Sequence, residues 1–158
     1  MKRYSDLILV CSIIILLIPS QPAGATPEAL QGFLDLSTVN FAQEPSLPLA
    51  GEWEFYWERL LDPAQFITMP QPTGFISLPR AWNGYPLGEG KLPGEGYATF
   101  RLQVTLPEHT EPLALYVPYM GTAYTMWING RLVAKNGVVG EQREDMVPEY
   151  APVVVTPL

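Results

Sequence analysis

A chain of 158 residues with a formal charge of −7 and only nine Lys plus Arg fits one domain of ordinary size. The acidic balance excludes a nucleic-acid-binding surface, which needs a basic stripe, and direct adsorption to anionic lipid. Hydrophobic residues make up 47%, enough for a core, and the seventeen prolines and thirteen glycines are spread rather than clustered, which implies frequent turns between short strands.

Residues 1–25 read as a secretory signal peptide outside the fold. Lys2 and Arg3 give a basic start, and Leu7 to Ile18 is an apolar run interrupted by Cys11 and Ser12. Pro19 and Pro22 then break any helix, and Ala23-Gly24-Ala25 offers an A-x-A cleavage site. The run is short of the ~20 residues a membrane-spanning helix needs, and an uncleaved anchor is the alternative. Cys11 sits inside the run, with apolar residues continuing after it, which argues against lipidation. Without this segment the chain keeps seven basic and fifteen acidic residues and no cysteine. The exported domain, with a charge of −8, must therefore hold together without disulfides.

Phe33 to Ser37 reads as a short strand with an Asp/Ser turn behind it, and residues 44–48 as extended because of their prolines. Gly51 to Glu58 is the most informative stretch. With a period of two, Trp53, Phe55 and Trp57 share one face, while Glu52, Glu54, Tyr56 and Glu58 share the other. Three large rings on one face need a second layer, and an all-β sandwich supplies it economically. Asp62-Pro63 marks a turn, and Ala64 to Ile67 a single helical turn. Residues 68–96 read as an ordered, irregular Pro/Gly-rich loop containing a short strand at 75–79.

Tyr97 to Leu106 alternates strictly, with Ala98, Phe100, Leu102, Val104 and Leu106 on one face. After a polar turn at 107–112, strands are expected at 113–117 and 122–128. The second runs into Asn129-Gly130, a type I′ hairpin signal with its return strand at 131–134. A second Asn-Gly stands at 136–137, an acidic loop spans 141–149, and a Val-rich strand follows at 150–156. No stretch after residue 25 has helical periodicity.

In order along the chain, several segments resemble a single family: Leu34-Asp35-Leu36-Ser37, Leu49 to Trp57, Leu78-Pro79-Arg80-Ala81-Trp82-Asn83, Gly96 to Leu102, Thr122-Ala123-Tyr124 and Ile128-Asn129-Gly130. That family is the N-terminal extracytoplasmic sensor region of bacterial seven-transmembrane receptors with diverse intracellular signalling modules. The Gly-Glu-Trp-Glu-Phe-Tyr-Trp run is the most specific part. A more distant similarity is to the non-catalytic sugar-binding domain of glycoside hydrolase family 2 enzymes. Both resemblances imply a galactose-binding-like jelly-roll β-sandwich over residues 26–158, a fold that needs about eight strands where roughly seven are read. The resemblance also implies transmembrane helices and an output module, a diguanylate cyclase or histidine kinase, beyond Leu158. On that expectation this chain is a truncated piece that holds the sensor and lacks the transducer. The expected function is a periplasmic ligand-sensing input domain; the alternative is the accessory sugar-binding domain of an exported glycoside hydrolase.

The ligand expected is small, a carbohydrate or a carboxylate. Trp82, Asn83 and Tyr85 stand where a strand opens into the long loop, so the rings can stack on a pyranose and the amide can bond hydroxyls. Core packing is the competing reading for Trp82. Arg101 can clasp a carboxylate or pair with a Glu on a neighbouring strand. Tyr97, Tyr124 and Arg131 complete the candidate ligand-binding set. Glu52, Glu54 and Glu58 read as a solvated edge rather than a catalytic pair. His109 is the only histidine and Glu144, Asp145 and Glu149 lack the order of a calcium loop, so no metal, cofactor or catalytic residue is expected.

Overall fold

The computed structural model describes residues 26–108, 111–149 and 151–156. The expected signal peptide with Cys11, together with His109, Tyr150 and the last two residues, lies outside them. The described chain is all-β, with eleven short strands and one 3-10 helix. The strands pair in five groups, of which the largest has three members.

That largest group is built on the aromatic strand. β2 (Gly51–Trp57) lies between β3 (Gly74–Leu78) and β6 (Ala98–Arg101), antiparallel to both. Phe55 sits opposite Phe100, and Glu54 opposite Arg101. The remaining pairs are β1 (Phe33–Asp35) with β7 (Gln103–Thr105), β4 (Pro86–Leu87) with β5 (Gly90–Lys91), β8 (Leu115–Val117) with β11 (Val153–Val155), and β9 (Tyr124–Ile128) with β10 (Arg131–Asn136). Asn129 and Gly130 connect the last pair with φ of 50° and 79°, both positive as a type I′ turn demands.

The strand expected at 97–106 breaks at Leu102 because its partner changes there. Residues 98–101 pair with β2, and residues 103–105 pair in parallel with β1. Gly32 stands at the junction: its N–H donates to the Glu52 carbonyl and its carbonyl accepts from the Gln103 N–H. The apolar face of this strand is consequently covered only as far as Leu102, and Val104 and Leu106 are left exposed.

The ring face of β2 feeds two clusters. Trp53 packs on Ala29, Leu34 and Leu36 and donates from its indole to the Leu49 carbonyl at 3.0 Å. Phe55 and Trp57 join Ile76, Leu92, Trp82, Tyr85 and Phe100. All three rings are therefore core-forming, as the alternation implies. The opposite face departs from expectation. Tyr56 is 1% exposed rather than solvated. Its cover is the 3-10 helix Pro63–Thr68, whose Phe66 meets the Tyr56 ring edge-on at 5.3 Å, with the Arg59 guanidinium 5.3 Å from the ring centre. Asp62 caps that helix, accepting from the Ala64 and Gln65 amides while the Gln65 side chain accepts from the Asp62 N–H.

Candidate functional site

The second face of the β2 sheet carries the polar constellation of the molecule. Glu54 and Arg101, opposite each other on β2 and β6, form an ion pair at 3.0 Å with side chains only 15% and 26% exposed. Arg101 Nη1 donates to both carboxylate oxygens, Oε2 at 3.0 Å and Oε1 at 3.2 Å. The Tyr56 hydroxyl donates to Oε2 at 2.8 Å, and the Pro70 carbonyl, 3.3 Å away, competes for the same proton. The Arg101 guanidinium lies 5.2 Å from the centre of the Phe66 ring, so one of its faces is stacked. On the far side of Glu54 stands Gly32, where an added Cβ would come within 2.5 Å of the Glu54 Cγ. Glu54 is thus wedged between a glycine and an arginine.

Beside this pair is an open concavity of about 470 Å³, lined by Glu54, Arg101, Phe75 and the segment Met69 to Gly74. Its wall is held by backbone contacts. Thr73 N–H donates to the Phe55 carbonyl at 2.8 Å, Trp57 N–H to the Thr73 hydroxyl at 3.1 Å, and Arg59 Nη1 to the Gln71 carbonyl at 3.0 Å. The prolines at 70 and 72 stiffen the same wall, since each fixes its own φ. A volume in this range suits a small organic molecule.

Chemically, the site offers acceptors on Glu54 and donors on Arg101 that sum to no net charge. The bonds to Glu54 come from Nη1 alone, so Nη2 and Nε are not spent on that carboxylate. Tyr56 stays protonated: burial first, then the hydrogen bond and charge of Glu54, push its hydroxyl up to about 12, with Arg101 opposing in part. An ordinary phenol ionises near 10.0, so this contribution to stability is complete below pH 10 and is lost as the pH rises toward 12. Stability should fall over that window, and by less in Tyr56→Phe. Urea melts below pH 10 and near pH 12 would check this, and equal losses in both proteins would exclude Tyr56 as the source. Tyr97 and Tyr124, which burial raises in the same direction, contribute to the slope that remains.

The structure places the residues anticipated from sequence in three locations. Trp82 and Tyr85 lie together on the ring face of the sheet. Trp82 stacks on Phe100 at 6.2 Å and meets Trp57 edge-on at 5.8 Å. Tyr85 lies under the Arg80 guanidinium at 5.0 Å and donates its hydroxyl to the Phe75 carbonyl at 3.3 Å. Both rings are engaged in packing. Asn83 is exposed and close to Gly94, and Tyr97 feels the charges of Glu141 and Glu58. Gly96 explains why the chain passes so near: an added Cβ would collide with the Trp57 ring, and its φ of 154° tolerates only glycine well.

Arg101 belongs to the opposite face, paired with Glu54, which is the structural alternative its sequence position allowed. Tyr124 and Arg131 stand at opposite ends of the β9–β10 hairpin, Tyr124 opposite Asn136 and Arg131 beside the turn. The Tyr124 hydroxyl is buried and has no hydrogen-bond partner among the described residues. The seven anticipated residues therefore do not converge on one place.

Glu54, Tyr56, Phe75 and the 69–74 wall were not anticipated as site residues. The signal for Glu54 was the alternation that set it on the polar side of β2, level with an arginine on the polar side of its neighbour. Among the described residues no group of three or more His, Cys, Asp or Glu could hold a metal ion, and no helix is long and apolar enough to cross a membrane. Comparison of the chain with protein-family models, with curated proteins and with solved structures finds no match.

Proposed function

We propose that this chain is an extracytoplasmic ligand-sensing domain of galactose-binding-like jelly-roll type, exported through residues 1–25 and serving as the input module of a bacterial transmembrane receptor. The all-β fold and the apolar start of the chain support the reading. The observation that carries it is the concavity of about 470 Å³ beside the Glu54–Arg101 pair, a size and chemistry that fit a small polar molecule. The make-up of this concavity suits the binding role proposed. Glu54 is held by a cation and a phenol, an arrangement that fixes an acceptor and provides no second carboxylate poised to exchange a proton with it.

Signalling through such a domain requires that the ligand favour one arrangement of the receptor over another, since equal affinity for both shifts nothing. A thermal-shift screen of the chain against neutral sugars and small carboxylates is the test. A true ligand at a hundred times its Kd should stabilise the fold by about 2.7 kcal/mol and raise Tm by roughly 5–10 °C. A folded chain whose Tm moves with none of them would overturn the proposal.

A further inference from the structure

We infer that the concavity takes a neutral polyol with neighbouring hydroxyls, such as a pyranose, and rejects the corresponding carboxylates. This rests on the ligand-sensing reading and names the ligand class of that site. A pair of adjacent hydroxyls presents one donor and one acceptor in a fixed spacing. The Glu54–Arg101 pair presents the complement: a carboxylate with acceptor capacity left on Oε1, beside a guanidinium whose Nη2 and Nε are not used on Glu54. Phe75 and Pro70 and Pro72 supply apolar surface against which the C–H face of a ring can lie.

Charge decides between the ligand classes. A guanidinium alone would favour a carboxylate, but here Glu54 already balances it at 3.0 Å. A carboxylate brought to Arg101 would also come close to the Glu54 charge, and the repulsion offsets the attraction. A neutral hydroxyl meets no such opposition. Pre-organisation points the same way. Glu54 is fixed by Gly32 and Tyr56, Arg101 by Phe66, and the wall by Tyr56 and Arg59, so the two charged side chains need little further ordering when a ligand enters.

Galactose and galacturonate differ only at C6, where CH2OH becomes a carboxylate, and this makes them the discriminating pair. Isothermal titration of the full chain with galactose, glucose, mannose and myo-inositol, against galacturonate and glucuronate, should show at least one neutral ligand binding about tenfold or more tighter than either uronate. In Glu54→Gln the balancing charge is gone, and the order should reverse in favour of the uronates. Gln71→Trp, whose exposed side chain takes no part in the wall contacts, should fill the concavity and abolish binding while leaving Tm unchanged. A native preference for uronates would overturn the inference and leave a ligand-sensing domain standing. Binding that survives Gln71→Trp and is lost in Asn83→Ala would move the site to the 80–97 loop, with the same consequence. Failure to bind any of the six overturns the inference, while the sensing role would then stand or fall on the wider thermal-shift screen.

Discussion

Replacing Phe55 with alanine is expected to cost about 3–5 kcal/mol, the range for removing a fully buried phenylalanine. Its ring is 0% exposed, 5.1 Å from Phe100 across β6 and 5.8 Å from Trp57 on its own strand. The lost ring leaves a void among groups that cannot collapse into it. Phe100 is stacked on Trp82, Ile76 is anchored on β3, and Leu92, just after β5, is tied by its N–H to the Tyr85 carbonyl at 2.9 Å. A domain of this size has a total stability of roughly 5–15 kcal/mol, so the variant should be marginal at best. In urea the midpoint should fall by about 2 M with little change in slope. Ile67→Ala provides the contrast, because Ile67 is 82% exposed on the covering 3-10 helix and should change stability by less than about 0.5 kcal/mol. Equal losses in the two variants would mean that the cluster around Phe55 is not the core of the sheet.

The elements legible in the sequence are those whose cause is local. β2 could be read because a period of two needs only its own residues, and the Asn129-Gly130 turn because two positive φ values need only those two. The 3-10 helix after Asp62-Pro63 belongs with them, since the capping box is complete within four residues. What was not legible depends on distant chain. The break at Leu102 exists because residues 32–35 replace β2 as its partner, and nothing in the alternation of 97–106 reports which partner lies alongside. The β4–β5 hairpin is hidden by short strands bearing no alternation, Pro86-Leu87 and Gly90-Lys91.

The site follows the same division. An acidic residue on the polar side of a strand reads as solvated until its partner is known, and Arg101 is 47 residues away from Glu54. Pattern alone could say that Arg101 had a neighbouring carboxylate or a ligand. Only the register sets Glu54 against it. Tyr56 shows the limit most clearly. A tyrosine among glutamates looks exposed, yet Phe66 and Arg59 cover it, and that cover is what lowers the exposure of the ion pair beside it. The aromatic residues expected to meet ligand, Trp82 and Tyr85, share their face of the sheet with Phe55, and the rings there have one another to pack on.

Gly51→Ala should be nearly as damaging as a core deletion although it adds a single methyl group. Gly51 has φ of 108°, and a Cβ there would land on the backbone N and O of Ala29. Those atoms cannot yield cheaply. Ala29 donates to the Ala50 carbonyl and accepts from the Glu52 N–H, both at 2.7 Å, and it is buried beside Leu34 and Leu36. Backbone strain at such a φ costs about 1–3 kcal/mol and each displaced hydrogen bond about 1, so a loss of about 3 kcal/mol or more is expected. Gly88→Ala separates the two causes, because Gly88 also has positive φ, 57°, but nothing within 4 Å of an added Cβ. It should cost only about 1–2 kcal/mol. In Gly51→Ala, hydrogen exchange at the Glu52 amide should also accelerate, because its acceptor is the residue pushed aside. Equal destabilisation by the two substitutions, with Glu52 protection unchanged, would show that residues 26–30 do not lock against the start of β2. Gly32, two residues before Leu34, would then lose its role in holding Glu54 against Arg101.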